Sequence, residues 1–334
     1  MLNSKKINIG ISIGDPNGIG IEVILKALSD RNLFKECNFI VYSSEGLIKK
    51  QKDFLKIKTV PIKKIHSVKE ANDDFINIKE VFADSEFEFG KNDKNVSARG
   101  IISFKEAVND SIKGEIDVLI TAPINKELSY SNTFKYSGHT DYLKNILNED
   151  PMMLMVSKNL KLGLLTEHIP LRDVVKEITT KKVIKKINTL RETLRKDFLI
   201  KHPKIAMLAI NPHAGDNGVI GSEDQEVLMP AIAASNKNKH LTYGPFSADT
   251  FFCNENFKKY DGIIAAYHDQ GLIPFKTMSF GEGVNYSAGL PIIRTSPDHG
   301  TGFDIAGKGI ASSTSFLQAI KLGINIYKSR NTIV

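Results

Sequence analysis

Three histidines follow short apolar runs, and their residue type and spacing suit metal binding. His168 comes after LGLLT, His213 after KIAMLAIN and His268 after GIIAAY. Runs of this kind are typical of buried strands, and the intervals of 45 and 55 residues each suit one strand–helix–strand step. At the carboxyl ends of parallel strands, three imidazoles could bind one transition-metal ion and leave a position open for substrate. The alternative, three histidines that cap or hydrogen-bond separately, stays open.

A helix start that carries His139 and Thr140 predicts an anion site. The stretch YSGHTDYL (136–143) runs into a helix-like segment at 140–148 and puts His139 and Thr140 at its start. The first amides of a helix have no partner within the helix, so they attract anions such as phosphate. An ordinary N-cap by Thr140 would also explain the residue.

Further polar residues downstream could complete a site for a phosphorylated molecule. Lys276, Asn285 and Arg294 follow His268 through glycine-rich sequence, where we expect loops. Arginine can bind phosphate through two hydrogen bonds, and lysine supplies a point charge. Taken singly, each is commonly a surface residue. The stretch DVLITAPINKE places further polar residues at or after the end of a predicted strand: Thr121, Asn125 and Lys126.

Alternating apolar runs and amphipathic segments predict an α/β protein with mostly parallel strands, which would position these residues. The strand candidates are INIGISIG, NFIVYS, DVLITAP, MMLMVS, LGLLT, KIAMLAIN, DGIIAAY and LPIIRT. The helix candidates are 19–29, 98–112, 140–148, 171–178, 181–197, 223–236 and 313–322. Residues 50–95 have weaker periodicity, and we interpret them as surface excursions.

The two common nucleotide-binding fingerprints are absent. Gly18 and Gly20 begin a GxG pattern, but Val23 stands where the Rossmann fingerprint has glycine or alanine. No Walker A sequence occurs either. Any nucleotide is therefore bound by other means.

Composition excludes several classes of protein. The chain has 334 residues, 41% of them apolar and 25% charged, without an apolar stretch of the roughly 20 residues that span a bilayer. The N-terminal run reads as a first strand and not as a secretory signal. Cys37 and Cys253 form no CxxC motif, so we expect no disulfide framework and a cytoplasmic protein. The net charge is +7, but the basic residues are not interleaved with aromatic residues as in a nucleic-acid site. The positive charge suits an anionic small substrate.

A set of motifs resembles the family of 4-hydroxythreonine-4-phosphate dehydrogenase of vitamin B6 biosynthesis, called PdxA. The motifs run in family order: GDPNGIGIE (14–22), TAPINK (121–126), SGHTDYL (137–143), HIPLRDV (168–174), NPHAGDNG (211–218), GPFSADTFF (244–252), YHDQGLIPFK (267–276) and GVNYSAGLPIIRTSPDHGTGFDIAG (283–307). Relatives that act on phosphorylated threonates and on aromatic cis-dihydrodiols look alike, so the motifs are less specific for the substrate.

The resemblance implies roles for particular residues. It assigns a divalent metal, which could be zinc, magnesium, manganese or cobalt, to His168, His213 and His268. It assigns the substrate to these residues: His139, Thr140, Lys276, Asn285 and Arg294. Asp141 stands where the family commonly has glutamate, a change that keeps the charge.

The stretch DHGTGFDIAGKGIA also resembles the cofactor loop of isocitrate and isopropylmalate dehydrogenases, which bind NAD or NADP without a Rossmann domain. His299, Gly300 and Thr301 are the implied residues on the adenosine side. A glycine-rich helix lead-in is the alternative for this loop. The implied fold is α/β with two α/β/α domains and a cleft between them, not a Rossmann fold. We expect residues 1–127 plus 300–334 in the first domain and 128–299 in the second.

The implied reaction is oxidation of 4-phosphooxy-L-threonine at C3 by NAD, followed by loss of carbon dioxide to give 3-amino-2-oxopropyl phosphate. Asp249 and Lys126 are the hypotheses for the catalytic base. The resemblance also implies a homodimer with a shared active site. The alternatives are a paralogous dehydrogenase of 4-phospho-threonate or erythronate, a metal-dependent hydrolase, and a non-catalytic metal- or phosphate-binding protein.

Overall fold

The computed structural model describes residues 6–84, 86–130, 134–237 and 241–332. Its strands are β1 (Ile7–Ser12), β2 (Cys37–Ser43), β3 (Ile62–Ile65), β4 (Ile76–Glu80), β5 (Val118–Thr121), β6 (Met152–Val156), β7 (Lys161–Leu164), β8 (Lys204–Leu208), β9 (Leu241–Phe246), β10 (Gly262–Ala265), β11 (Val284–Ala288) and β12 (Arg294–Pro297). Its α-helices are α1 (Gly20–Ala27), α2 (Glu45–Phe54), α3 (Lys94–Ile112), α4 (Lys126–Ser129), α5 (His139–Leu147), α6 (Val174–Glu177), α7 (Thr180–Lys196), α8 (Met229–Ser235), α9 (Ala248–Phe251), α10 (His268–Ser279) and α11 (Thr314–Thr332).

The chain divides into two compact units. The first unit comprises the chain up to Asn148 together with Pro291–Tyr327, and the second comprises Glu149–Leu290 together with the chain from Lys328 on. The boundaries therefore lie at 148/149 and 290/291, instead of the expected 127/128 and 299/300. The end of α11 groups with the second unit, whereas we expected it in the first. Helix α5 and strand β12 belong to the first unit, so their site residues do too.

The sheet of the first unit is parallel throughout, as the sequence predicts. Its strand order is β3-β4-β2-β1-β5-β12, and each neighbouring pair is parallel. Strand β1 is buried along almost its whole length, which is typical of a parallel strand covered by helices on both faces. Residues 50–95, which we interpreted as surface excursions, supply the end of helix α2 and strands β3 and β4.

A close approach between α3 and the turn after β1 shapes the first unit. A Cβ atom on Gly100 would lie 2.3 Å from the carbonyl oxygen of Gly14. Gly14 has a φ of +70°, in the left-handed region that favours glycine. Asp15, next in the chain, is buried and accepts hydrogen bonds from the Ser97 hydroxyl and from the Asn17 amide. The GDPNG stretch is therefore a packed turn that begins α1.

The sheet of the second unit is mixed. Its order is β11-β6-β7-β10-β8-β9. Strand β6 pairs antiparallel with both β11 and β7, whereas β7, β10, β8 and β9 pair parallel. Strand β10 therefore lies between β7 and β8, and the carboxyl ends of these three strands lie at one edge.

Helix α7 of the second unit confirms the predicted amphipathic helix at 181–197. Thr179 is its N-cap and accepts a hydrogen bond from the Lys182 amide. One face of the helix is buried and carries Leu190 and Leu194. Lys186 of this helix is also buried, and its Nζ donates to the carbonyl oxygen of Pro151 at 2.7 Å.

Among the described helices, none is both long and apolar enough to cross a membrane.

Candidate active site

The three histidines predicted to bind metal follow three adjacent parallel strands. His168 comes after β7, His213 after β8 and His268 after β10. Because β10 lies between β7 and β8, the turns that carry the histidines leave one edge of the sheet. The structure places the histidines at strand ends as the sequence predicts; their role as metal ligands stays a prediction.

Two of these histidines lie close together. The rings of His168 and His268 are 5.6 Å apart between centroids. They line a pocket of about 310 Å³ together with Glu167 and Asp269. Two imidazoles bound to one ion at about 2.1 Å place their ring centres roughly 5 Å apart, so this separation fits a shared metal.

The contact between His268 and Asp269 suits a metal-binding imidazole. Nδ1 of His268 lies 2.7 Å from Oδ1 of Asp269. A carboxylate on one ring nitrogen favours the tautomer that leaves the other nitrogen, here Nε2, as the ligand atom. His268 is also the first residue of α10, so the helix fixes its backbone.

His213 lies in an unusual backbone turn. The five residues from His213 to Asn217 have φ angles between 42° and 79°, a left-handed conformation that costs roughly 1–2 kcal/mol per residue other than glycine. Strained backbone of this kind clusters at functional sites. Gly215 is buried in the turn, and a Cβ there would lie 2.6 Å from the carbonyl oxygen of Gly221.

Asp224 holds the start of this turn. Its carboxylate accepts hydrogen bonds from the backbone amides of Ile210 and Asn211, at 2.7 and 3.0 Å, and from the Asn211 side chain at 3.1 Å. Asp224 is buried and begins a π-helical turn, Asp224–Leu228, that continues into α8. Wide turns of this type occur frequently at functional sites.

Within the ranges that the structure describes, a single chain brings together no group of three or more His, Cys, Asp or Glu side chains able to hold a metal ion. The histidine pair supplies two donors of the kind that zinc and related metals bind, so the residues fit a metal in part.

The predicted anion site is at the start of α5 in the first unit. The N-cap is Gly138, and no side chain caps the helix. The alternative of an ordinary Thr140 cap is therefore wrong, since Thr140 is the second residue inside the helix. Asp141 turns back and accepts a hydrogen bond from the Ser137 amide at 3.1 Å. The first-turn amides of α5 are the groups that attract an anion.

Arg294 contacts His139 beneath this helix start. Arg294 is the first residue of β12 and is buried, and its Nη2 lies 3.3 Å from Nδ1 of His139. Burial lowers the pKa of Arg294 to about 10, so the guanidinium is cationic at neutral pH. The ring of Phe104 meets the His139 ring edge to face, with centroids 4.4 Å apart.

His139 is neutral in this environment. Burial is the main cause that lowers its pKa well below the ordinary value of 6.5, and the charges of Arg294 and Lys126 lower it further. His139 therefore contributes hydrogen bonds and not positive charge. Its Nε2 is buried and has no hydrogen-bond partner in the described part of the chain.

Lys276 and Asn285 lie in regular structure in the second unit, whereas glycine-rich sequence predicted loops. Lys276 is an exposed residue of α10. Asn285 is half-buried in β11, where it pairs with Met155 of β6. Their roles in substrate binding stay predictions.

The two candidate bases are both exposed. Asp249 lies in α9 and accepts a hydrogen bond from the Ser247 hydroxyl at 2.9 Å. That hydrogen bond is the largest cause of the lowered pKa of Asp249, and the Thr250 amide and the charge of His213 add to it. A more acidic carboxylate is a weaker base, so the geometry gives Asp249 a charged role more readily than a basic one. Lys126 begins α4, behind the N-cap Asn125.

The residues predicted to bind the cofactor lie in a loop after β12. The carbonyl oxygen of Thr301 accepts a hydrogen bond from the Ile19 amide at 2.9 Å. Nδ1 of His299 lies 3.0 Å from the carbonyl oxygen of Gly300, and its Nε2 is buried without a partner among the described residues. An unpartnered ring nitrogen beside an open glycine backbone fits contact with a ligand, and the role of this loop stays a prediction.

Two residues of these sites were not assigned from the sequence. Thr121 contacts Arg294, and the only sequence signal was that Thr121 ends a predicted strand. Asp224 holds the His213 turn, and its place in a segment predicted to be an ordinary helix gave no signal. Both residues act through others that are distant in sequence.

Comparison with known proteins agrees with these features. The profile described as "Pyridoxal phosphate biosynthetic protein PdxA" matches residues 35–323. The 4-hydroxythreonine-4-phosphate dehydrogenase of Bacteroides thetaiotaomicron is 39% identical over 332 residues, covering 98% of this chain and 91% of the relative. A crystal structure of 4-hydroxythreonine-4-phosphate dehydrogenase from Klebsiella pneumoniae has a TM-score of 0.84 at 31% identity, covering 97% of this chain and 98% of that chain.

The fold is also similar to that of an isocitrate dehydrogenase from Methylococcus capsulatus, with a TM-score of 0.51 at 13% identity, covering 97% of this chain and 88% of that chain. At this identity the likeness concerns the fold alone, and it confirms the predicted non-Rossmann α/β architecture. The profile match and the 39% identity extend over most of the chain. The chain therefore belongs to the pyridoxal phosphate biosynthetic protein PdxA family.

Proposed function

We propose that the chain is a dehydrogenase that oxidises 4-phosphooxy-L-threonine at C3 in the biosynthesis of pyridoxal 5′-phosphate. NAD (or NADP) takes the hydride, a proton is released, and the resulting β-keto acid loses carbon dioxide to give 3-amino-2-oxopropyl phosphate. The observation that carries the proposal is the full-length similarity to relatives that bear this name. The anion-binding features of α5 and Arg294 support it independently.

The chain's own groups account for binding and orientation of such a substrate. Arg294 is a buried guanidinium, and His139 beside it is a neutral imidazole with an unpartnered Nε2. Together with the amides that begin α5, these donors suit phosphate or carboxylate oxygens. Binding energy gained at groups remote from the reacting carbon can hold the C3 hydroxyl in a reactive position.

We assign the metal to His168, His213 and His268. When bound, a divalent metal supplies Lewis acidity toward the reacting oxygen, and a nicotinamide cofactor accepts hydride. The His168–His268 separation and the Asp269 contact support the assignment. The metal content of purified His168→Gln protein should fall below that of the exposed-site control His202→Gln. Equal metal content in the two variants would remove His168 from the assignment.

A homodimer with a shared site is part of the proposal. Large apolar side chains of the second unit are exposed in the single chain, with Phe280 87% and Val219 81% accessible. Because the described single chain groups fewer than three metal donors together, a second copy is a plausible source of the remaining ligand. In sedimentation, the wild-type protein should be a dimer. The Phe280→Glu protein should be a monomer, and its metal content should be lower than that of the wild-type protein. A fully active monomer would contradict the shared site.

The cytoplasm is the proposed location. Both cysteines, Cys37 and Cys253, are free thiols. Free thiols together with a reaction that consumes NAD suit a reducing compartment.

The test of the reaction is direct. Purified protein is mixed with 4-phosphooxy-L-threonine, NAD and a divalent metal, and NADH formation and carbon dioxide release are followed with and without chelator. We expect metal-dependent NADH formation accompanied by carbon dioxide. Turnover of 4-phospho-threonate in place of 4-phosphooxy-L-threonine would instead identify a paralogous dehydrogenase, and hydrolysis without NADH would identify a hydrolase.

A further inference from the structure

Thr121 contacts the Arg294 guanidinium from the end of a neighbouring strand. Its Oγ1 accepts hydrogen bonds from both Nε and Nη2 of Arg294, at 3.1 and 2.6 Å. Strands β5 and β12 are parallel, with Arg294 opposite Leu119. Thr121 is two residues beyond Leu119, so its side chain emerges on the same face of the sheet as Arg294. Both side chains are buried.

The contact continues to His139. Nη2 of Arg294, which donates to Thr121, also lies 3.3 Å from Nδ1 of His139. A guanidinium has donors and no acceptor, so Nδ1 of the imidazole must accept. In a neutral imidazole the proton is then on Nε2. That N–H is the buried atom without a partner in the described chain, and an oxygen of a ligand would complete it.

We propose that Thr121 is a positioning residue, which fixes the plane of the Arg294 guanidinium and, through it, the His139 tautomer that offers an Nε2–H donor to an anionic oxygen of the substrate. The inference rests on the proposed function for the identity of the substrate. It goes beyond that function by assigning a role to a residue that would not touch the substrate. A hydroxyl that receives two donors of one guanidinium resists its rotation, because either rotation direction lengthens a hydrogen bond in a buried site.

The test compares Thr121→Val with Thr121→Ser. Valine keeps the shape of threonine and removes Oγ1, whereas serine keeps Oγ1. Loss of hydrogen bonds to a charged group corresponds to about a tenfold or greater change. We expect Thr121→Val to raise the KM for 4-phosphooxy-L-threonine by about that factor with a smaller change in kcat, and Thr121→Ser to restore the wild-type KM. Thr189→Val, at a half-buried threonine of α7 in the second unit, is the matched control.

A spectroscopic measurement tests the inference without turnover. In protein labelled with nitrogen-15 histidine, the wild-type His139 ring should show a protonated Nε2 and an unprotonated Nδ1. Thr121→Val should shift these signals toward a mixture of tautomers, while Thr121→Ser and Thr189→Val leave them unchanged. A wild-type ring protonated on Nδ1, or an unchanged KM in a folded Thr121→Val protein, would overturn the proposal.

Failure of the proposed function can be distinguished from failure of the proposed positioning role of Thr121. If the wild-type protein leaves 4-phosphooxy-L-threonine unreacted, the proposed function fails, but the His139 tautomer and its response to Thr121→Val still decide the positioning role. If Thr121→Val does not fold, the wild-type tautomer alone decides it, since Nδ1 protonation is incompatible with a hydrogen bond from Arg294.

Discussion

At the scale of single residues, burial and neighbouring charges determine which groups carry charge in the first-unit site. Arg294 is buried and remains cationic, because its pKa of about 10 is still well above neutral pH. His139 is driven to the neutral form by burial, by Arg294 and by Lys126. The site therefore combines one fixed charge with a directional neutral donor. This combination allows an anion to be bound tightly and oriented as well.

The fixed geometry of the guanidinium predicts that lysine cannot replace Arg294. Arg294→Lys keeps the charge but loses the planar fork that reaches Thr121 and His139. We expect the KM for the phosphorylated substrate to rise by about tenfold or more, at about 1.5–3 kcal/mol per lost charged hydrogen bond. Steady-state kinetics checks this, with Arg195→Lys at an exposed position of α7 as the control. An unchanged KM would show that charge alone suffices.

The lowered pKa of His139 predicts a loss of stability in acid. With a folded-state pKa below the ordinary value of 6.5, the unfolded chain takes up this proton first as the pH falls. The contribution of His139 to stability is therefore complete above about pH 6.5 and is lost as the pH falls through the folded-state pKa. The charged groups that act on the ring are Arg294 from β12 and Lys126 from α4.

Urea unfolding at neutral and mildly acidic pH measures this effect. The free energy of unfolding of His139→Gln should fall less between the two pH values than that of the wild-type protein. His202→Gln, at an exposed histidine, should follow the wild-type curve. Parallel curves for all three proteins would be evidence against the neutral, buried imidazole.

At the scale of elements, two irregular backbone segments position His213 and Asp224. Strand β8 ends before a left-handed turn, and that turn carries His213. The π-helical turn that begins at Asp224 places the buried Asp224 carboxylate against the backbone amides that lead into the left-handed His213 turn. An ordinary α-helical turn would direct successive side chains differently, so the wide turn and the left-handed turn belong to one arrangement.

Removal of the Asp224 carboxylate should therefore destabilise the His213 turn. Asp224→Asn keeps the volume but puts amide hydrogens against amides that donate to the carboxylate. Unsatisfied buried groups of this kind cost about 1–3 kcal/mol each, so we expect a loss of roughly 2–4 kcal/mol in the free energy of unfolding. Urea unfolding measures it, and Glu226→Gln, exposed on the same π-helical turn, serves as the control. Similar stabilities for the two variants would refute the supporting role of Asp224.

At the scale of the whole molecule, the residues predicted to bind substrate and metal are divided between the two units. The first unit carries His139, Thr140 and Arg294, and the second carries the three histidines with Lys276 and Asn285. The second unit also holds the end of the last helix, α11, through a partly buried network. In this network, Arg330 binds Asp197 at 2.7 Å and the Tyr286 hydroxyl at 2.9 Å. The Tyr286 hydroxyl in turn donates to Asp197 at 2.6 Å.

This network predicts that Arg330 is needed for stability. Arg330→Met would leave the buried Asp197 carboxylate without its cation, which typically costs about 3–5 kcal/mol. The free energy of unfolding measured by urea titration should fall by about 3–5 kcal/mol. Lys321→Met, at an exposed position of the same helix, should have little effect. A small effect of Arg330→Met would indicate that Tyr286 alone satisfies the carboxylate.

The sequence by itself determined the α/β class, most strands and the placement of three histidines after strands. Apolar runs such as KIAMLAIN and GIIAAY lie in buried parallel strands, and burial of such runs depends on local composition. The motif set likewise determined the family. Strands β3, β4, β9 and β11 were missed because they are short, contain glycine and proline, or are rich in polar residues that do not alternate clearly.

Only the tertiary structure decided how the residues of each site act on one another. The neutral state of His139 results mainly from burial and further from the charge of Arg294, which is 155 positions away in the chain. The orientation of Arg294 results from Thr121, 173 positions away. The left-handed turn at His213 depends on a carboxylate held by a π-helical turn. Protonation, tautomer and backbone strain are set by burial and by contacts between distant segments, and a linear pattern of residue types does not encode those distances.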